Sequence, residues 1–344
     1  MKSFDYRRLI VPTAAGVALL IATGVWYAVQ SGQHLATLTS TQTPSKVTIA
    51  IPKQVAAASI LIAQDRGFFS ATGVDTTLKA FDLGRDALQS LLQGDADLAV
   101  MADTPFMLAA INGEEIAAIA TVFSSRKTLA LVGRKDRGVH DLNSLKGKKV
   151  GTVFGINAQF FLYALILSSG LNETEIEVIN FKPFELSDAL KNGKVDAITA
   201  WNPELARLES QISENYSVIY GKELFVSRYI LVGKRAYLDT HQAEVKKVLT
   251  ALQQSVQFIQ EHSAQAEALV GKSISLEPAL LARIFDPKDY FLTLDQTLLL
   301  SLSEQSRWAV KSGIVKSKTT PNYLEFIHPR ALEQVSPTAV KIIR

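Results

Sequence analysis

The polar residues of this chain do not line up as a catalytic set. His34, His140, His241, His262 and His328 show no metal-ligand spacing, and no Ser/His/Asp constellation is legible. With no cysteine there is no disulfide framework, no thiolate zinc site, no Cys nucleophile and no lipid-anchoring Cys. What remains is the chemistry of ligand binding where strands run into helices. Asp103 precedes Thr104-Pro105 and Asn202 precedes Pro203, each fitting an N-cap followed by proline in the first turn. A cap needs no ligand, so both readings of these residues stay open. Gly155-Ile156-Asn157 ends an apolar strand and opens a helix, and its N–H groups could face an anion. It is neither a P-loop nor a dinucleotide fingerprint. Arg85 can pair with an anionic ligand or with its neighbours Asp82 and Asp86. The same ambiguity applies to Arg126. Arg228, at an expected lobe boundary, can bind an anion or bridge the lobes, and Trp201 is either an aromatic anchor in a cleft or a core side chain.

Two similar stretches must position these residues. Leu91–Thr104 and Leu190–Pro203 each read as a helix end, a stopping Gly, a short apolar strand and an Asx. Gly94 and Gly193 mark a spacing of 99 positions, which suggests two similar α/β lobes. Around them, strands are expected near Val47–Ile51, Val74–Ala80, Leu98–Met101, Ile116–Phe123 and Leu129–Gly133. A second series follows at Val150–Phe154, Glu177–Phe181, Ala197–Ala200 and Ser217–Tyr220, and Tyr229–Gly233 returns the chain to the first lobe. The intervening segments have helical spacing, so the pattern is that of an α/β sheet with parallel character. The polar stretch Arg134–Lys149 reads as the first crossover. From Gln242 onward the reading is mostly helical, with Val245, Val248, Leu249, Leu252, Val256 and Ile259 forming one stripe.

The first thirty residues carry a location signal. Lys2, Arg7 and Arg8 precede an uncharged run of 21 residues, Leu9–Val29. As a helix this spans roughly 31 Å, close to the hydrocarbon thickness of a bilayer. Trp26 and Tyr27 sit near its far end, and the basic flank predicts N-in, C-out. An uncleaved anchor is favoured over a cleaved signal peptide, because the run is long and no A-x-A site follows closely. Ser31–Ser45 is a polar tether. A net charge of +3 without a dense basic block does not indicate a nucleic-acid partner.

At Ala63-Gln64-Asp65-Arg66-Gly67-Phe68-Phe69-Ser70-Ala71-Thr72-Gly73-Val74 the chain resembles the substrate-binding proteins of sulfonate, nitrate and taurine ABC importers. Thiamine-pyrimidine binders and fungal pyrimidine-synthesis enzymes, the NMT1/THI5-like group, are similar. The resemblance continues through Gly84-Arg85-Asp86-Ala87-Leu88, Leu92-Gln93-Gly94-Asp95-Ala96-Asp97, Leu145–Gly151 and Trp201-x-Pro203. It implies a type II periplasmic-binding-protein fold, with two lobes closing on a ligand about hinges near Gly133–Arg137 and Leu224–Arg228. Lobe I would be residues 46–133 plus 229–344, and lobe II residues 134–228, preceded by the segment 1–30 and the tether 31–45. The resemblance carries ligand contacts onto Lys53, Gln54, Asp103, Thr104, Gly155, Asn157, Trp201 and Asn202. Many relatives have Ser or Thr where this chain has Ile156, which argues against a sulfonate or nitrate and allows a larger or less charged ligand.

The expected function is therefore an extracytoplasmic solute-binding protein serving an ABC permease and ATPase, held at the inner membrane through residues 9–29. It would bind a sulfonate, taurine, nitrate-like anion or pyrimidine or aromatic compound, with no cofactor and no catalysis. A membrane-anchored sensing subunit that signals to a partner protein is the alternative. The pyrimidine-synthesis enzymes rely on a Cys-rich motif that this chain lacks.

Overall fold

Short apolar segments of four to ten residues cannot bury both faces alone, so they align into sheets and cover themselves with the intervening helices. The computed structural model describes residues 44–211, 214–221 and 224–343. In chain order the strands are β1 (Ser45–Pro52), β2 (Val74–Phe81), β3 (Leu98–Ala102), β4 (Ile116–Ser125), β5 (Leu129–Arg134) and β6 (Lys149–Thr152). They continue as β7 (Glu177–Asn180), β8 (Ala197–Trp201), β9 (Tyr216–Tyr220), β10 (Ser227–Lys234), β11 (Tyr290–Asp295) and β12 (Val340–Lys341). Seven of them form one sheet in the order β12-β11-β4-β10-β3-β1-β2, and five form another in the order β7-β6-β8-β5-β9.

The two sheets repeat one plan. In the larger, β1 runs parallel to β2 and β3, and β10 enters antiparallel between β3 and β4. In the smaller, β6 runs parallel to β7 and β8, and β5 enters antiparallel between β8 and β9. The sheets are thus mixed, not simply parallel, because the antiparallel member of each arrives from the other side. The twin stretches occupy equivalent places as β3 and β8. Gly94 and Gly193 both end their helices at positive φ, +84° and +69°, a conformation that glycine adopts without a Cβ penalty.

The aspartates three residues beyond these glycines do the same work in both sheets. Asp97 Oδ2 accepts the Thr48 N–H at 2.7 Å, while the Asp97 N–H donates to Thr48 O at 2.9 Å. Asp196 Oδ2 accepts the Lys149 N–H at 2.9 Å, and the Asp196 N–H donates to Lys149 O at 2.8 Å. Asp97 clasps the neighbouring parallel strand β1 at Thr48, and Asp196 clasps β6 at its first residue, Lys149.

Three features differ from the sequence reading. Leu129–Gly133 was expected in the first lobe with the crossover after it, but β5 pairs with β8 and β9. The first crossing is therefore at Arg126–Thr128 rather than at Gly133–Arg137. An apolar strand looks the same in sequence whichever sheet receives it. The second difference is Tyr290–Asp295, read within a helical region, which is β11 and pairs antiparallel with β4. The third is an additional helix, Ser263–Ile274. The proposed anchor Leu9–Val29 and nearly all of the tether lie outside the described residues. Among the described residues no helix is long and apolar enough to cross a membrane.

The clasps give a direct stability test. Hydrogen bonds to a charged acceptor are each worth about 1.5–3 kcal/mol. Asp97→Ala and Asp196→Ala should each lower the unfolding free energy by about that amount in equilibrium urea denaturation. Asp97→Asn, which keeps an acceptor oxygen, should recover most of the loss.

Candidate functional site

Residues that follow the carboxyl ends of β1, β2 and β7, together with the end of β8, converge on a chamber of about 590 Å³. Open α/β sheets place ligands at such strand ends. Lys53, Gln54, Asp82 and Arg85 line it from the larger sheet, and Lys182, Phe184, Trp201 and Arg207 from the smaller. Ile274, at the end of the Ser263–Ile274 helix, completes one wall.

Most charges in the chamber are already matched. Lys53 Nζ lies 3.3 Å from Asp82 Oδ1. Arg207 pairs with Glu204 one turn away and reaches the Ser275 carbonyl at 3.5 Å. Arg85 Nη1 donates to the Phe154 carbonyl at 2.7 Å, so a side chain on the larger sheet's Gly84–Gln93 helix grips the turn after β6.

Below the chamber is a recess of only about 10 Å³ lined by Leu83, Ile156, Asn157 and Tyr229, together with Gln54, Arg85 and Trp201. Its polar groups bond to one another. The Tyr229 hydroxyl donates to Gln54 Oε1 at 2.6 Å, and Asn157 Nδ2 donates to Ser227 Oγ at 3.1 Å. Burial and the nearby Asp103 charge push the Tyr229 phenol well above its ordinary range, so it remains a donor at any physiological pH.

The chamber and recess gather five of the ten residues singled out from sequence: Lys53, Gln54, Arg85, Asn157 and Trp201. The other five sit elsewhere. Asp103 does not cap its helix; it is the first residue of the Asp103–Ile111 helix, fully buried, and its Oδ2 accepts from Ser301 Oγ at 2.9 Å. Thr104 is likewise fully buried. Gly155 adopts φ +75°, but its N–H donates to Gln159 Oε1 at 2.8 Å and the preceding Phe154 N–H to Asn180 Oδ1 at 2.9 Å. Two N–H groups of that turn are thus taken up by side chains within the smaller sheet's own lobe. Asn202 does not cap either: its Nδ2 donates to the Lys127 carbonyl at 3.3 Å, on a separate pocket at the first crossing. Arg228 lines neither chamber nor recess; its positive charge acts on Asp103. Among the described residues no group of His, Asp and Glu side chains is placed to hold a metal.

Phe184, Lys182, Arg207, Ile274 and Tyr229 were not identified from sequence. Lys182-Pro183-Phe184 lies on a short loop, where neither period nor motif marks a residue. Its one readable signal was a large aromatic beside a proline in a polar connection.

The lobes touch well beyond the chamber. Arg283 of the Pro278–Ile284 helix pairs with Glu209 at 2.8 Å, and Glu209 also accepts from the Tyr220 hydroxyl at 2.5 Å. Trp308 of the Gln296–Lys311 helix packs on Phe160 and Tyr163 of the Asn157–Ser168 helix at 5.2 and 5.8 Å.

Two sheets of one plan, joined by two crossings and facing each other across a chamber at their strand ends, make the two-sheet α/β fold of the periplasmic-binding-protein type. The sequence profile described as NMT1/THI5 like matches residues 54–266, and the chain belongs to that family. Its sequence is 21% identical over 223 residues to a candidate binding protein of Brucella abortus, covering 64% of this chain and 68% of that one. It is 24% identical over 164 residues to the taurine-binding periplasmic protein of Escherichia coli, covering 47% and 51%. The fold is similar to that of the periplasmic aliphatic sulphonate-binding protein of Escherichia coli, with a TM-score of 0.73 at 18% identity, covering 83% of this chain and 97% of that one.

Asp103 provides a test that separates a core carboxylate from a ligand contact. Desolvation, the largest influence, raises its pKa, against the opposing pull of Arg228 and Ser301. The folded state then holds a proton that the unfolded chain releases near pH 4. The stability this confers is fully present below the unfolded pKa and is lost as pH rises through the folded pKa. Asp103→Asn should remove that decline, matching or exceeding the parent near neutral pH in urea denaturation across a pH series.

Proposed function

We propose that this chain is the extracytoplasmic solute-binding subunit of an ABC importer, capturing a small organic solute between two lobes of type II topology and presenting it to a permease and ATPase. The observation that carries this is the chamber. It lies at the carboxyl ends of strands from both sheets, and its lining comes almost wholly from the stretch that matches the family profile. The taurine- and sulphonate-binding names of the relatives support an organic anion as ligand, and a role in binding without catalysis. We assign lobe I to residues 44–128 plus 227–343 and lobe II to 129–226, because β5 pairs in the smaller sheet.

A ligand that touches both lobes favours the closed arrangement by its differential affinity. Arg85 is the closing contact on the lobe I side. A thermal-shift screen of sulfonates, nitrate, pyrimidines and aromatic acids should reveal a solute that raises the melting temperature by mass action. Small-angle scattering with that solute should show a smaller radius of gyration than without it. Arg85→Ala should weaken its binding about 10–150-fold, the worth of one charged hydrogen bond across the cleft. Binding without compaction would overturn the two-lobe mechanism.

We further propose that residues 9–29 hold the protein at the inner membrane, with the solute-binding part outside. The support is the apolar run and its basic flank. Full-length chain should stay in the membrane pellet after alkaline carbonate extraction. Release of a shortened soluble chain would instead mark the segment as a cleaved signal.

A further inference from the structure

The chamber and the recess beneath it differ about sixtyfold in free volume, about 590 against 10 Å³. A single water needs roughly one probe sphere of 10–15 Å³. The recess is therefore closed to any organic group, and to a sulfonate or nitrate. Two of its side-chain donors are engaged as well, the Tyr229 hydroxyl on Gln54 and the Asn157 amide on Ser227. Ile156 adds an apolar wall, 5% exposed. In this arrangement of the lobes these bonds occupy the floor of the cleft.

The outer chamber is different. Its volume is that of a site for a ligand with a substantial carbon skeleton. Phe184 projects into it with 74% of its surface exposed, the most exposed aromatic ring among the large apolar side chains of the described residues. No packing within the fold accounts for that exposure. Trp201 lines the same chamber from the end of β8, and Ile274 adds apolar surface from the opposite lobe. Charge points the same way. Lys53, Arg85 and Arg207 face Asp82, Asp86 and Glu204 at close range. Lys182 is the chamber cation whose Nζ makes no ion pair among the described residues, although its backbone N–H donates to Glu185 Oε2 at 2.9 Å. Its Nζ sits 5.9 Å from the Phe184 ring centroid.

We propose that the ligand is an organic anion with a flat aromatic body, held in the outer chamber with its ring against Phe184 and Trp201 and its charge toward Lys182. This rests on the solute-binding reading above and narrows it: the solute is neither a small inorganic anion nor a short aliphatic sulfonate. Phe184 is the residue that selects for the ring. Because it lies in solvent, replacing it leaves the core intact.

The test is isothermal titration calorimetry of the full-length chain with naphthalene-2-sulfonate, methanesulfonate and nitrate as probes. Naphthalene-2-sulfonate should bind and the other two should not. Phe184→Ala should weaken that binding about tenfold, Phe184→Tyr should restore it, and Lys182→Gln should weaken it severalfold and reduce its salt dependence. Methanesulfonate or nitrate binding that is indifferent to Phe184→Ala would overturn the outer-chamber assignment while leaving the solute-binding reading intact. Failure of naphthalene-2-sulfonate while another solute of the thermal-shift screen binds would overturn the aromatic-anion class alone. If no solute of any class binds, both readings fail.

Discussion

Each sheet depends on a strand that the other half of the chain delivers. β5 follows β4 across residues 126–128, and β10 follows β9 after the return, so both sheets are completed by an antiparallel strand inserted next to their parallel core. Ser125 at the end of β4 pairs with Ser227 at the start of β10, so outgoing and returning chains lie side by side. This double exchange fixes which edges face one another. With the strand ends held close, the carboxyl ends of β1 and β2 must look across a gap at those of β7 and β8. The chamber is a consequence of that connectivity.

Once the sheets are so placed, helices from the C-terminal part of the chain determine how firmly the gap is spanned. Arg283 on Glu209 and Trp308 on Phe160 and Tyr163 connect the lobes at two places away from the chamber. Arg85 on the Phe154 carbonyl adds a third contact at the chamber itself. Arg207 on the Ser275 carbonyl and Asn157 on Ser227 span the gap as well, so any rotation of one lobe against the other must rearrange several contacts at once. Their partners are a carboxylate, an aromatic cluster, two backbone carbonyls and a hydroxyl, so each is lost over a short displacement.

Much of this was legible in sequence because it rests on short-range pattern. Alternation marked the short strands, glycine stops marked Gly94 and Gly193, and the stripe from Val245 to Ile259 marked the Gln242–Glu261 helix. The assignment of β5 was not legible, since sheet membership is a long-range property that an apolar hexamer does not encode. At the site, Asn157 and Trp201 were visible because they head or precede helices at strand ends. The cap reading of Asp103 failed for the same reason: a position ahead of proline looks like a cap, but Asp103 is the first residue of its helix and its carboxyl turns inward to Ser301. Phe184 was invisible because nothing local distinguishes a loop aromatic that lines a chamber from one that packs on a neighbour.

The paired clasps of Asp97 and Asp196 hold the middle of β1 and the start of β6, whereas the chamber lies beyond the carboxyl ends of the same sheets. Scaffold and recognition are thus separated along each strand. Substitutions that reshape the pocket can accumulate at one end while the two aspartates keep strand register away from it. A lineage built this way can exchange one solute for another through changes confined to loops, without passing through unfolded intermediates.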